Sequence, residues 1–282
     1  MKRAHFFDLD CILVTNSKVW LVDKNSPNIP ILKISKSDFN LIKSGIYKNQ
    51  NNNISIGGDN YWLSTDFIEN LKITCKKYRC NISNLSFSLQ EYMNKDIIDS
   101  IDYDINMDNI IHLKNTNDDI YFICSKNTER NYGSILKKID QKLEDNGLIV
   151  KKYYYISETF YNRDRDNIAY KKVKLLLQYL IGLKTDDNKF IDENLEKYDE
   201  IYFYDNDISS IELSKNSNNM LQLLLDNTEA SIKDSIKDIL KSKNILYVNY
   251  VSDNKVNKFL TTKVELLYHN IIKTFENFKW KK

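Results

Sequence analysis

The stretch Ala4-His5-Phe6-Phe7-Asp8-Leu9-Asp10 sets the reading of the whole chain. A short apolar run that closes on two carboxylates suits a central parallel strand whose carboxyl end opens onto a site. Two later stretches repeat the pattern. Phe122-Ile123-Cys124-Ser125-Lys126 closes an apolar run on a hydroxyl, and Phe203-Tyr204-Asp205-Asn206-Asp207 closes one on acids. The carboxyl ends of parallel strands lie on one side of a sheet, so the three endings are expected to converge.

From about residue 117 onward, strand patterns alternate with helical ones. Strands are expected over 120–124, 150–156, 201–204 and 245–251. Helices are expected over 128–146, 167–182, 230–242 and 261–279. Gly147 and Gly182 end the first two helices. Val173, Leu176, Leu177 and Leu180 share one face of the second. Val264, Leu267, Ile271, Phe275 and Phe278 share a face of the last. This alternation implies an α/β fold: a Rossmann-like parallel sheet with helices on both faces. Residues 1–16 and 117–282 form the expected core domain. Residues 17–116 read as an inserted, mixed α+β cap. Within the cap, strands are expected at 19–22 and 31–34, a hairpin around Gly57-Gly58, and helices near 65–78 and 88–100.

Composition narrows the class. Hydrophobic residues make up 42% of the 282, with nineteen tyrosines and twelve phenylalanines, which is enough to bury a sizeable core. Only six glycines and two prolines are present, so collagen-like and linker-dominated architectures are excluded. The formal charge is +2, from 41 basic and 39 acidic residues, and gives no global pull toward nucleic acid. No secretory signal is expected, because acid at Asp8 interrupts the start before an apolar run of signal length. The apolar runs elsewhere fall short of the ~20 residues a membrane span needs. Cys11, Cys75, Cys80 and Cys124 show no zinc-ligand spacing and are expected as free thiols in a cytoplasmic setting, a host's if the chain is viral or from a phage. His5, His112 and His269 are scattered and read as structural or exposed.

The strand endings carry a coherent chemistry. Phosphoryl transfer needs an oxygen nucleophile and a way to neutralise charge. A carboxylate at Asp8 can attack phosphorus, and a second at Asp10 can protonate the leaving oxygen. Ser125 can donate to a phosphate oxygen. A lysine near the start of the 167–182 helix can balance the remaining charge, and Lys171 and Lys172 both lie there. Lys171 is the choice, since it lies nearer the expected cap. Magnesium favours a few carboxylates plus water and phosphate oxygens.

In order along the chain this set is strand-DxD, strand-Ser, helix-start Lys and strand-acids. It resembles the haloacid dehalogenase (HAD) superfamily over about 1–15 and 117–210. The resemblance implies a Mg²⁺-dependent phosphomonoester hydrolase working through an aspartyl-phosphate on Asp8. The general acid/base role falls on Asp10, and phosphoryl binding on Ser125 and Lys171. The metal would be held by Asp8, Asp10, Asp205 and Asp207. The insert corresponds to that family's cap, and the substrate would be a phosphorylated small molecule or a nucleic-acid end. Two positions depart from the family pattern. Cys11 follows Asp10 where glycine is usual, and Asp205-Asn206-Asp207 replaces two adjacent acids. These departures motivate an alternative, an inactive scaffold acting as a binding or structural protein.

Overall fold

The structure is a computed structural model. It describes residues 1–15, 18–35, 38–39, 42, 52–89, 91, 103–124, 129–156, 168–186, 188–251 and 260–271. The chain divides into two compact units. One comprises Met1–Leu13, Ile105–Glu129 and Leu136–Lys282; the other comprises Val14–Asp104 and Arg130–Ile135.

The first unit is built on a six-stranded, mostly parallel sheet. Its strands are β1 (Arg3–Asp8), β2 (Asp119–Cys124), β3 (Val150–Tyr155), β4 (Glu200–Asp205), β5 (Asn244–Tyr250) and β6 (Leu260–Leu266), in the order β3-β2-β1-β4-β5-β6. The first five strands of that order run parallel. The chain's first strand therefore lies between β2 and β4, with neighbours on both sides. Its burial explains why residues 4–7 are apolar apart from His5. Helices of this unit, among the described residues, include α1 (Glu129–Asp145, of which residues 130–135 group with the other unit), α2 (Ile168–Ile181), α3 (Ile208–Lys215), α4 (Ser217–Asp226) and α5 (Ala230–Ile239).

The two faces of the sheet differ. On one, Phe6, Ile123, Phe203 and Leu246 join a core with Val173, Leu176 and Leu180 of α2. Each large aliphatic side chain fully buried there contributes on the order of 1.5–3 kcal/mol. Four tyrosines belong to this core, and their hydroxyls pair inside it. Tyr154 meets Tyr179, and Tyr121 meets Tyr198 at 2.6 Å. Tyr198 donates onward to Asp119 at 2.6 Å. The opposite face is an aromatic pavement. Tyr204 stacks on Phe7 at 4.2 Å, and Phe7 meets Phe122 edge-on at 6.2 Å. His5 is buried here as well. Its ring stacks on Tyr202 at 4.7 Å, and its nitrogens lie 3.1 Å from the Tyr204 hydroxyl and 3.1 Å from Asp118 Oδ2.

The end of the chain departs from expectation. Residues 260–266, read from sequence as the start of a helix, form β6 and pair antiparallel with β5. The run Leu260-Thr261-Thr262-Lys263-Val264-Glu265-Leu266 is rich in β-branched residues and places Val264 and Leu266 in the core two apart. Val264 and Leu266 fit a period of two, whereas Val264 with Leu267 and Ile271 fits the period of 3.6, and the sheet edge decides between them. Helices α3 and α4 and a hairpin of Leu183–Asp186 with Lys189–Asn194 were not anticipated. At the end of α2, Gly182 takes φ +81, and a side chain there would close to 3.0 Å on the Lys197 Cβ.

In the second unit, strands Ser26–Ser35, Lys18–Asp23 and Leu85–Ser88 make an antiparallel sheet in that order. The hairpin of Asn53–Ile56 and Asp59–Trp62 turns on Gly57 and Gly58, both at positive φ, as a two-residue turn requires. Helix Thr65–Tyr78 has the bounds the sequence suggested. The Ser64 hydroxyl caps it, accepting from Phe67 N at 3.3 Å. Val19, Leu21, Leu63, Leu71 and Leu85 form the core of this unit. The region read as a helix near 88–100 lies outside the described residues except at its start. Among the described residues no helix is long and apolar enough to cross a membrane.

Candidate active site

Strand alternation builds the site. Phe7 pairs with Tyr204 on the neighbouring strand, so Asp8 and Asp205 come next on β1 and β4. Phe6 and Phe203 face α2 in the core, and side chains two residues on share their face. Asp8 and Asp205 therefore point toward α2 at the carboxyl ends of their strands.

Helix α2 supplies the cation. Ala169, Lys172, Leu176 and Leu180 recur at the spacing of one helical face, and all four are buried. Lys172 thus lies in the apolar stripe and is carried to the strand ends. Its Nζ donates to Asp8 Oδ2 at 2.8 Å and to Asp205 Oδ2 at 2.6 Å. The side chains of Lys172, Asp8 and Asp205 are only 1%, 5% and 0% exposed, so the three charges meet out of water. Sequence reasoning favoured Lys171, from its distance to the helix start. The structure brings Lys172 to the two carboxylates and leaves Lys171 partly exposed beside it. Helical phase in the sequence does not choose between them, since Lys172 is in phase with Leu176 and Leu180 and Lys171 with Leu175 and Tyr179, all four buried.

The second oxygens of both acids are used alike. Asp8 Oδ1 accepts from Asp10 N at 3.4 Å, and Asp205 Oδ1 accepts from Asp207 N at 2.9 Å. Each carboxylate therefore bridges the shared lysine and the backbone two residues on, which fixes its plane. The turn after Asp8 is the 3-10 turn Leu9–Cys11. Non-glycine residues at positive φ, among those described, are Arg79, Asn115 and Asn188. Cys11 is not one of them, so the turn does not require the glycine that the family pattern places there. Its buried thiol instead lies 3.8 Å from the Tyr204 carbonyl. Cys11, Cys75, Cys80 and Cys124 are all free thiols.

Charge is unevenly matched. Burial alone would lower the Lys172 pKa, but the Asp205 and Asp8 charges outweigh it and push it up, so the ammonium stays charged. Burial pushes Asp205 up to about 7. Lys172 pulls the other way, and the Asp8 charge adds to the rise. One cation between two buried carboxylates leaves an excess negative charge. Cys124, at the end of β2, feels the same field: burial first, then the charges of Asp8 and Asp10, hold its thiol above the usual range.

The remaining expected site residues are placed as follows. Asp10 sits partly exposed in the turn. Ser125 lies outside the described residues. Asp207 is exposed and caps α3, accepting from Ser209 N at 3.4 Å and the Ser210 hydroxyl at 2.9 Å. Its carboxylate thus serves the helix start. Among the described residues, no group of three or more His, Cys, Asp or Glu side chains is gathered as a metal site. Asp8, Asp10, Asp205 and Asp207 are therefore not brought together as one ligand set. Asp8 and Asp205 alone share the buried centre. Two carboxylates facing one ammonium are a donor set that fits a further cation. A residue that sequence reasoning missed is Asn109, whose amide donates to the Cys11 carbonyl at 2.9 Å. No pattern in the sequence singles it out. No family model matches this chain, and no curated protein or solved structure matches it either.

Proposed function

We propose that the chain is a Mg²⁺-dependent phosphomonoester hydrolase of the HAD type, on a Rossmann-like sheet, with Asp8 as nucleophile. One observation carries the reading: a buried lysine bridges the carboxylates that end two adjacent parallel strands. A purely structural ion pair has no need of a second buried acid, whose desolvation is costly. A site for a phosphoryl group and its counter-ion does need one.

In this reading Lys172 orients the Asp8 carboxylate through its bond to Oδ2. An Asp8 oxygen attacks phosphorus, and the bond from phosphorus to the ester oxygen breaks. Asp10 delivers a proton to that leaving oxygen. Water then attacks the aspartyl-phosphate, giving up a proton to Asp10, and phosphate leaves with Asp8 restored. Asp8 and Asp205 would hold magnesium, which when bound neutralises charge on the phosphoryl oxygens. The substrate is a phosphorylated small molecule, or a nucleic-acid end, acted on in the cytoplasm of the cell or host. Phosphate release from an aryl phosphate with Mg²⁺ tests the reading. Turnover that needs the metal and vanishes in Asp8→Asn supports it. Metal-dependent turnover that survives Asp8→Asn sinks the mechanism.

A second reading is a scaffold without turnover that acts by binding. The engagement of the Asp207 carboxylate at the start of α3 favours it, since that acid is then withdrawn from the metal. Absence of phosphate release in both native chain and variant is the result it expects.

A further inference from the structure

We infer that Asn109 is a positioning residue for Asp10, acting through the turn that presents it. The role given to Asp10 rests on the phosphatase reading; the geometry does not. The turn Leu9–Cys11 carries backbone bonds of its own. Ile12 N donates back to Leu9 O at 3.1 Å, and Asp10 N reaches Asp8 Oδ1 at 3.4 Å. It is secured from outside by the segment just beyond Ile105. Asn109 Nδ2 donates to the Cys11 carbonyl at 2.9 Å, and Asn106 N donates to the Ile12 carbonyl at 2.7 Å.

Asn109 is well placed for this work. Its side chain is 8% exposed, so the bond to Cys11 does not compete with water. It belongs to a second short turn, Met107–Asn109, closed by Asn109 N to Asn106 O at 3.2 Å and Ile110 N to Met107 O at 3.0 Å. Two turns are thus pinned to each other at Cys11 and Ile12, the residues directly after Asp10. A carbonyl buried at Cys11 has to be satisfied, and an amide from another segment satisfies it only in one placement of the turn. The placement of Asp10 follows, because the turn has too few residues to absorb a shift at Cys11.

The test joins two readouts. Hydrogen exchange over residues 9–12 is measured in the native chain and in Asn109→Ala, with urea midpoints as a check on global stability. Turnover is measured on an alkyl phosphate, whose leaving oxygen needs a proton, and on an activated aryl phosphate, whose leaving oxygen does not. Faster exchange confined to residues 9–12 and 106 is expected. With it comes a fall in kcat of roughly 10- to 100-fold on the alkyl ester and a smaller one on the aryl ester. Adding Asn109→Ala to Asp10→Asn is expected to cost nothing further. Should Asn109→Ala fail to fold, Asn109→Asp keeps the size and removes the donor. Unchanged exchange over residues 9–12 overturns the inference, as does an equal loss on both esters. A native chain without turnover defeats the phosphatase reading instead, and the exchange result still decides the role of Asn109.

Discussion

Lys172 Nζ lies 2.6 Å from Asp205 Oδ2 with both groups sealed from solvent, and the same ammonium also serves Asp8. Lys172→Met keeps the apolar stem and removes the charge. The two buried carboxyls then lose their shared counter-ion. Breaking a buried ion pair costs about 3–5 kcal/mol, and urea denaturation at neutral pH is expected to show a loss of that size. Adding Asp8→Leu and Asp205→Leu to the variant should recover most of it, because an apolar trio has no charge to desolvate. Unaltered stability in Lys172→Met would mean that water reaches the three groups.

Stability should fall as pH rises through the range that Asp205 titrates. Burial lifts its folded pKa to about 7, above the ordinary 3.8. Between those values the folded chain holds a proton that the unfolded chain has lost. The contribution is thus fully present below the lower value and disappears as pH climbs past the upper one. Urea midpoints of native chain and Asp205→Asn, compared from weakly acidic to neutral pH without metal, report it. The native midpoint should decline more steeply with pH. Parallel profiles would remove Asp205 from the account.

His5 works in the opposite direction. Burial lowers its pKa from 6.5 to about 4, although Asp118 pulls it upward. Here the unfolded chain binds the proton first. The contribution is present above pH 6.5 and is lost as pH falls toward 4. The shift corresponds to about 3 kcal/mol when fully expressed. His5→Phe keeps the stack on Tyr202 and should flatten the acid limb of the stability profile. An acid limb identical to the native one would place the titration elsewhere.

Much of this was legible from residue pattern. The strand endings at Asp8 and Asp205 follow from apolar runs closing on acids, and α2 follows from its leucine spacing. The choice between Lys171 and Lys172 was not legible, because each is in helical phase with buried apolar residues, and ranking them by distance from the helix start selected the neighbour of the one that meets the carboxylates. Other features were beyond pattern. Val264 pairs by helical spacing with Leu267 and Ile271 and by strand spacing with Thr262 and Leu266, and the choice waits on the free edge of β5. The bond from Asn109 to Cys11 joins positions 98 apart, and nothing local marks it. Asp207 looked like a metal ligand because it follows Asp205 by two, whereas its neighbours Ser209 and Ser210 make it a helix cap.

That cap can be separated from a metal role. Asp207→Ala should cost about 1 kcal/mol, read from the urea midpoint, because α3 loses the acceptor for its first amides. Asp207→Ser should restore most of that stability, since a hydroxyl also caps. If Asp207 serves α3 alone, the serine variant also keeps the native response of thermal stability to added Mg²⁺. A response lost in Asp207→Ser while stability is kept would return this carboxylate to the metal.

The burial of paired tyrosine hydroxyls in the core gives the protein an alkaline ceiling. Burial, and next the Asp119 and Tyr121 bonds, hold the Tyr198 phenol far above its ordinary value of 10.0, and Tyr121 and Tyr154 are raised as well. Once the pH passes 10 the unfolded chain sheds these protons and the folded chain does not. Folding free energy drains away over that interval, because each withheld proton favours the opened chain. The phenolate absorbance of Tyr121, Tyr154 and Tyr198 should therefore rise together, in one step that coincides with loss of the fold.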